Sequence, residues 1–234
     1  MGVSKLGDRG CMLVRPRGQS RRHRHVRVRD EFAIVLDYMP FGNPYDRHVQ
    51  HRSRPVAQAL GTKFFALVEI LPLKNMPLNI GERVPIAPQP ELPGHPVADR
   101  LSYNELSSVA KTNLAKFLRD IVIEKEKVFV EFFNVAKPIN IRLHSLELLP
   151  GIGKKTLKII LEERKKKSFE SFEEIQARTR INDPVKLIVD RIILELQGQE
   201  KYYIFVEPYP DSPGFVKLNY LDYLYKLTNY DKPW

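Results

Sequence analysis

The run Leu146-Glu147-Leu148-Leu149-Pro150-Gly151-Ile152-Gly153-Lys154-Lys155-Thr156-Leu157-Lys158-Ile159-Ile160 restricts what this chain can fold into more than any other segment. Proline lacks an N–H and disfavours a helical predecessor, and glycine enters conformations closed to other residues, so Pro150-Gly151 ends one helix and turns the chain. Ile152 is the apolar plug of that turn. Gly153 has no side chain, and the next helix starts directly behind it, so free N–H groups and a positive dipole end face whatever approaches. Lys154, Lys155 and Lys158 add charge at the same point. Two helices joined in this way form a helix-hairpin-helix, which holds a phosphate backbone without reading bases. A P-loop is excluded: it needs Gly at position 148 and Ser or Thr at 155, where Leu148 and Lys155 stand. The other reading is a hairpin that only packs two helices; the three lysines favour phosphate.

The surrounding stretch, 139–198, reads as entirely helical. Ser171-Phe172-Glu173-Glu174 is a capping box. Asn182-Asp183-Pro184 places a cap residue and a proline at the start of a helix running from Val185 to Gln197 and closing at Gly198. This second turn lacks Gly-x-Gly and is expected to be structural, with Lys186 and Arg191 at the rim. Lys165-Lys166-Lys167 fits a phosphate contact and a solvated helix end equally well.

Charge gives the second constraint. The net charge is +10, and residues 1–30 hold nine Arg or Lys against Asp8 and Asp30, a local excess of +7. So few core-forming residues cannot offset the entropy of ordering, so 1–30 reads as an extended arm for a polyanion. Arginine outnumbers lysine there eight to one, and guanidinium both forks onto phosphate and stacks on bases. Arg15, Arg17, Arg21, Arg22, Arg24, Arg27 and Arg29 are the candidate contacts. A targeting peptide would also be Arg-rich, but an amphipathic helix is missing from the flanks.

Residues 31–98 read as β: Phe32–Leu36 and Phe64–Ile70 are short apolar runs and Gly81–Ile86, after a turn region, reads as a third strand, all divided by Gly, Pro and Asn in the pattern of a small barrel. Within this region Tyr45-Asp46-Arg47-His48-Val49-Gln50-His51-Arg52-Ser53-Arg54 is basic with one aromatic, a loop able to stack a base and pair phosphates through Tyr45, Arg47, Arg52 and Arg54. A metal or acid–base site from Asp46, His48 and His51 is the competing reading. The histidines are three apart, a chelating spacing only on a helix, and no further carboxylate–histidine set completes it. Residues 99–138 read as connecting helices, entered through a capping box at Ser102-Tyr103-Asn104-Glu105 and ended by Pro138. In 199–234, ten of 36 residues are aromatic; a strand over 199–206 and a short helix over 218–227 are expected.

A single cysteine, Cys11, rules out an internal disulfide and a zinc site built on cysteines. No apolar run approaches the ~18 residues of a membrane span, and the N-terminus has no apolar signal core. These absences point to the cytoplasm. With no convergent acid, base, nucleophile or metal set, the expectation is a binding protein without cofactor or metal, not an enzyme.

The segments "FAIVLDYMPFGNPYDR", "RPVAQALGTKFFALVEI", "RLHSLELLPGIGKKTLKIILEERKKKSFESFEEI" and "NDPVKLIVDRIILEL" together resemble an archaeal family of unknown function described as RNA-binding. The resemblance covers about residues 31–205. It implies an α+β fold: a small OB-like β-barrel followed by an all-α, RuvA-like helix-hairpin-helix domain. Here a basic N-terminal arm and an aromatic C-terminal extension are added. The expected partner is RNA, specifically ribosomal RNA in a ribosome-associated protein, with neighbouring ribosomal proteins met through the extension. The alternative is a DNA-binding accessory factor in repair or recombination.

Overall fold

The computed structural model describes residues 28–74, 76–87, 94–209, 214–230 and 232. It is a mixed α+β fold with a five-stranded antiparallel sheet and six α-helices. The strands are β1 (Phe32–Met39), β2 (Val56–Gly61), β3 (Leu67–Ile70), β4 (Arg83–Pro85) and β5 (Val97–Arg100), in the order β4-β1-β2-β3-β5. Strand β1 runs past the expected end at Leu36 because Asp37 is not a stop: a register shift at Val35/Asp37 admits it, and its carboxylate accepts from Ser107 Oγ at 2.6 Å. Strand β2 lacks the alternating pattern of a half-exposed strand because all six of its residues are buried in the sheet centre. Its one large polar residue, Gln58, is satisfied by Glu105 O and Ser107 N.

The expected strand over 64–70 starts only at Leu67. Phe65 sits at φ +60, and the β2–β3 turn is held by the buried Asp30 carboxylate, which accepts from the N–H groups of Lys63, Phe64 and Ala66. The sheet is not the expected closed barrel. Closure needs a ladder between β4 and β5, and among the described residues one bond, His95 N to Pro85 O at 2.7 Å, links those stretches. Pro85 and Pro96 supply no N–H at the closing edge.

Alternation along β1 gives the sheet two apolar faces. Ala33 and Val35 point into a smaller cluster with Ala57, Val68, Val84 and Ile86. Ile34 and Leu36 join the main core with the helices. The helices are α1 (Ser108–Glu124), α2 (Glu126–Val135), α3 (Lys154–Lys166), α4 (Phe172–Arg178), α5 (Pro184–Leu196) and α6 (Tyr220–Leu227). The capping box at Ser102–Glu105 forms as read, but it closes a 3-10 turn; α1 starts later, with Ser107 as its N-cap accepting from Ala110 N. Ser171 caps α4, and Asp183 caps α5 with Pro184 in its first turn.

The C-terminal segment folds back onto the body. In place of a strand over 199–206, only Tyr202–Tyr203 pairs, in parallel with Val216–Lys217. Phe205 packs edge-on against Phe129 and Phe132, and the Tyr225 hydroxyl donates to Lys63 O. These rings complete the chain's own core; Tyr223 remains about half exposed. Among the described residues, no helix is long and apolar enough to cross a membrane.

Candidate nucleic-acid interface

The element before the hairpin is shorter than expected. A single 3-10 turn, Ser145–Leu148, stands where a helix was anticipated. Residues 139–142 bend the chain back so that His144 pairs with Pro138 in an isolated bridge; His144 is extended, and Leu149 before Pro150 is extended again. Only four residues are left to coil. The turn itself is built as the residues require. Gly151 adopts φ +88, a conformation that glycine reaches without strain, and Ile152 is buried beside Leu149 and Leu157.

Gly153 is the N-cap of α3 and offers no side chain to the first N–H groups of the helix; a Cβ placed on it would meet nothing within 4 Å. Approach to those N–H groups is therefore open. The three lysines differ. Lys154 bridges Glu147 and the Arg142 carbonyl, at 2.8 and 2.7 Å. Burial opposes charge on Glu147, but the hydrogen bonds from Lys154 and His144 N hold its carboxyl below its ordinary value. Lys158 is 3.8 Å from Glu162 on the exposed helix face. Lys155 is exposed and has no ion pair among the described residues. The bridge from Lys154 also fixes the loop 139–143 beside the turn, where Ile141 and Arg142 are exposed. Pattern reading missed these two because only the fold sets their loop against the hairpin.

Arg191 is not a rim residue. It is 2% exposed and reaches Glu195, Glu200 and the carbonyls of Leu148 and Tyr202. Arg29 is likewise tied to the body: it pairs with Asp222 and lies 3.8 Å over the Phe64 ring. Arg15, Arg17, Arg21, Arg22, Arg24 and Arg27 lie outside the described residues.

In the loop after β1, Tyr45 is 94% exposed, free to receive a stacking partner. Arg54 is exposed and unpaired among the described residues. Arg52 donates from Nε to Asp46 O at 2.8 Å, while Arg47 pairs with Asp99 and sits 3.5 Å from Glu105. His48 precedes a 3-10 turn, Val49–Arg52, and His51 lies within it, so both imidazoles come to the same side as Asp46. The fold completes the set that the sequence left open. Glu69, on β3, places Oε2 2.5 Å from His51 Nδ1. Burial, then hydrogen bonding and repulsion from Asp46, push the Glu69 carboxyl up to about 9. The available signal was a lone carboxylate inside the apolar run Phe64–Ile70.

A family model described as a protein of unknown function (DUF655) matches residues 29–207. The chain belongs to this family. The DUF655 match spans the sheet, the hairpin, α5 and the first part of the C-terminal segment. It includes Tyr45, Arg47, Arg52, Arg54 and the hairpin residues, and begins after Arg27. An uncharacterized protein of Methanocaldococcus jannaschii, MJ0038, is 39% identical over 180 residues, 76% of this chain and 80% of its own length. The crystal structure of Af1531 from Archaeoglobus fulgidus, a DUF655 representative, is 42% identical with a TM-score of 0.69, covering 76% of this chain and 100% of that one. Both relatives are archaeal, as the sequence resemblance implied.

Proposed function

We propose that this protein binds RNA by its phosphate backbone, as a ribosome-associated component, and that its Pro150–Lys155 turn acts as a helix-hairpin-helix contact. The observation that carries this reading is the open approach at Gly153. Uncapped N–H groups at the start of a 13-residue helix face a position where a side chain would meet nothing, with Lys155 unpaired beside them. Glu147 neutralises Lys154 and Lys158 shares its charge with Glu162 on an exposed helix face, so Lys155 supplies most of the charge. Exposed Tyr45 and Arg54 offer a second contact, suited to a single-stranded base and its phosphate. The preference for structured ribosomal RNA rests on the arginine-rich composition of residues 1–27.

The test compares native chain and Gly153→Val for binding to structured RNA and to duplex DNA at fixed salt, together with sequencing of nucleic acid crosslinked to the protein in cells. The expected result is recovery of ribosomal RNA and weaker binding by the variant with its helical content unchanged. Equal affinity of both proteins would make the hairpin purely structural. Preferential recovery of DNA would move the protein to repair or recombination.

A further inference from the structure

Glu69 is 1% exposed, on a strand inside the sheet, and its Oε1 has no hydrogen-bond partner. Its close approach to His51 is not aligned as a hydrogen bond, and His51 Nδ1 is also without one. Asp46 Oδ1 is 3.5 Å from His48 Nδ1, and Asp46 Oδ2 is 3.5 Å from His51 Nδ1. One donor atom from each of Asp46, His48, His51 and Glu69 falls within 4.8 Å of all the others. Four nitrogen and oxygen donors converging at this scale, two of them buried and unsatisfied, leave an unmet demand for positive charge. Arg47, which lines the same cleft, does not meet it, because it is engaged by Asp99 and Glu105.

We infer that Asp46, His48, His51 and Glu69 bind one first-row divalent transition-metal ion of the zinc type. Two carboxylates and two neutral imidazoles around a dication give a neutral, desolvated centre, which removes the penalty of burying Glu69 as an anion. A tetrahedral ion with bonds of ~2.0–2.1 Å separates neighbouring donors by roughly 3.3 Å. Two contacts, from the two oxygens of Asp46 to His48 and to His51, already have about that spacing at 3.5 Å, and the His51–Glu69 pair has to open. Paired imidazoles select against magnesium and calcium, which take oxygen ligands. The site has an entry path, since Asp46, His48 and Glu69 line a cleft of about 510 Å³. It is independent of the RNA reading.

The full-length protein is treated with EDTA, exchanged into chelator-free buffer and titrated calorimetrically with ZnCl2 and, in parallel, MgCl2. One zinc per chain and a raised melting temperature are expected. Glu69→Gln and His51→Ala should lose more affinity than the roughly 10–100-fold that removal of an outer-shell partner costs. His48→Ala alters a half-exposed side chain and keeps the test decisive if the buried variants misfold, with circular dichroism as the check on folding. A His23→Ala/His25→Ala double variant of the same chain should bind zinc normally. The inference falls if the native chain takes up no zinc, or takes up magnesium only. It also falls if folded His48→Ala binds zinc as the native chain does, or if the arm variant alone abolishes uptake.

Discussion

Arg191 and Glu195, one turn apart on α5, form an ion pair at 2.8 Å that is 2% and 0% exposed, and between them they lock the hairpin to the C-terminal segment. Arg191 donates to Leu148 O, just before the turn, and to Tyr202 O. Glu195 accepts from three successive backbone N–H groups, those of Ile204, Phe205 and Val206. Removing one member of a buried pair leaves an uncompensated charge, so Arg191→Met should destabilise the protein by about 3–5 kcal/mol in urea unfolding. A loss within the range of an exposed pair, below about 1 kcal/mol, would contradict the burial.

The two hairpin glycines should respond differently to one substitution. Gly151→Ser places a Cβ at φ +88 and is expected to cost about 1–2 kcal/mol. Gly153→Ser meets open space at φ −93 and keeps a good N-cap residue, so its stability should be unchanged or slightly raised. Paired urea titrations check this, and equal losses at both positions would refute the assigned backbone conformations.

Truncation should have a sharp boundary. Deleting residues 1–27 removes eight Arg or Lys. If half of these touch phosphate, the slope of log affinity against log salt should flatten by about three units, while the melting temperature stays the same. Deleting 1–30 also removes Arg29, paired with Asp222, and Asp30, which accepts three backbone N–H groups under the β2–β3 turn. The longer deletion should lower the melting temperature by several degrees. An unchanged salt slope would leave the arm without a role in binding.

Lys125, between α1 and α2, is 1% exposed and donates to Thr62 O and to the Tyr225 hydroxyl. Burial, against the attraction of Asp30, brings its ammonium down from 10.5 to about 8. Between those values the unfolded chain keeps a proton that the folded chain has released, so this group raises stability as pH rises through the window. The full effect is on the order of 3 kcal/mol. The difference in unfolding free energy between native chain and Lys125→Met should shift in favour of the native chain from pH 8 to 10.5; a difference independent of pH would show that the buried ammonium is not disfavoured.

Local chemistry made much of this molecule legible. Pro150, Gly151 and Gly153 fix a turn because their backbone restrictions act within one or two residues, and Ser171 and Asp183 announce α4 and α5 because an N-cap bonds only three residues ahead. The apolar runs gave the class of β1 and β3 for the same reason. What distant residues contribute stayed hidden. Asp37 looked like a strand end until Ser107 partnered it, and the capping box at Ser102 closed a short turn while Ser107 started the helix. Arg191 looked like a surface cation, although α5 turns it into the core toward Leu148, 43 residues away. The sequence by itself determined the turn at Pro150-Gly151, where α4 and α5 start and that positive charge gathers at the start of the chain. Only the tertiary structure decided that the sheet stays open, that the aromatic segment closes the chain's own core and that Glu69 joins Asp46, His48 and His51. Turns and caps are set by neighbours along the chain, whereas pairing, burial and donor convergence depend on contacts between residues far apart in sequence.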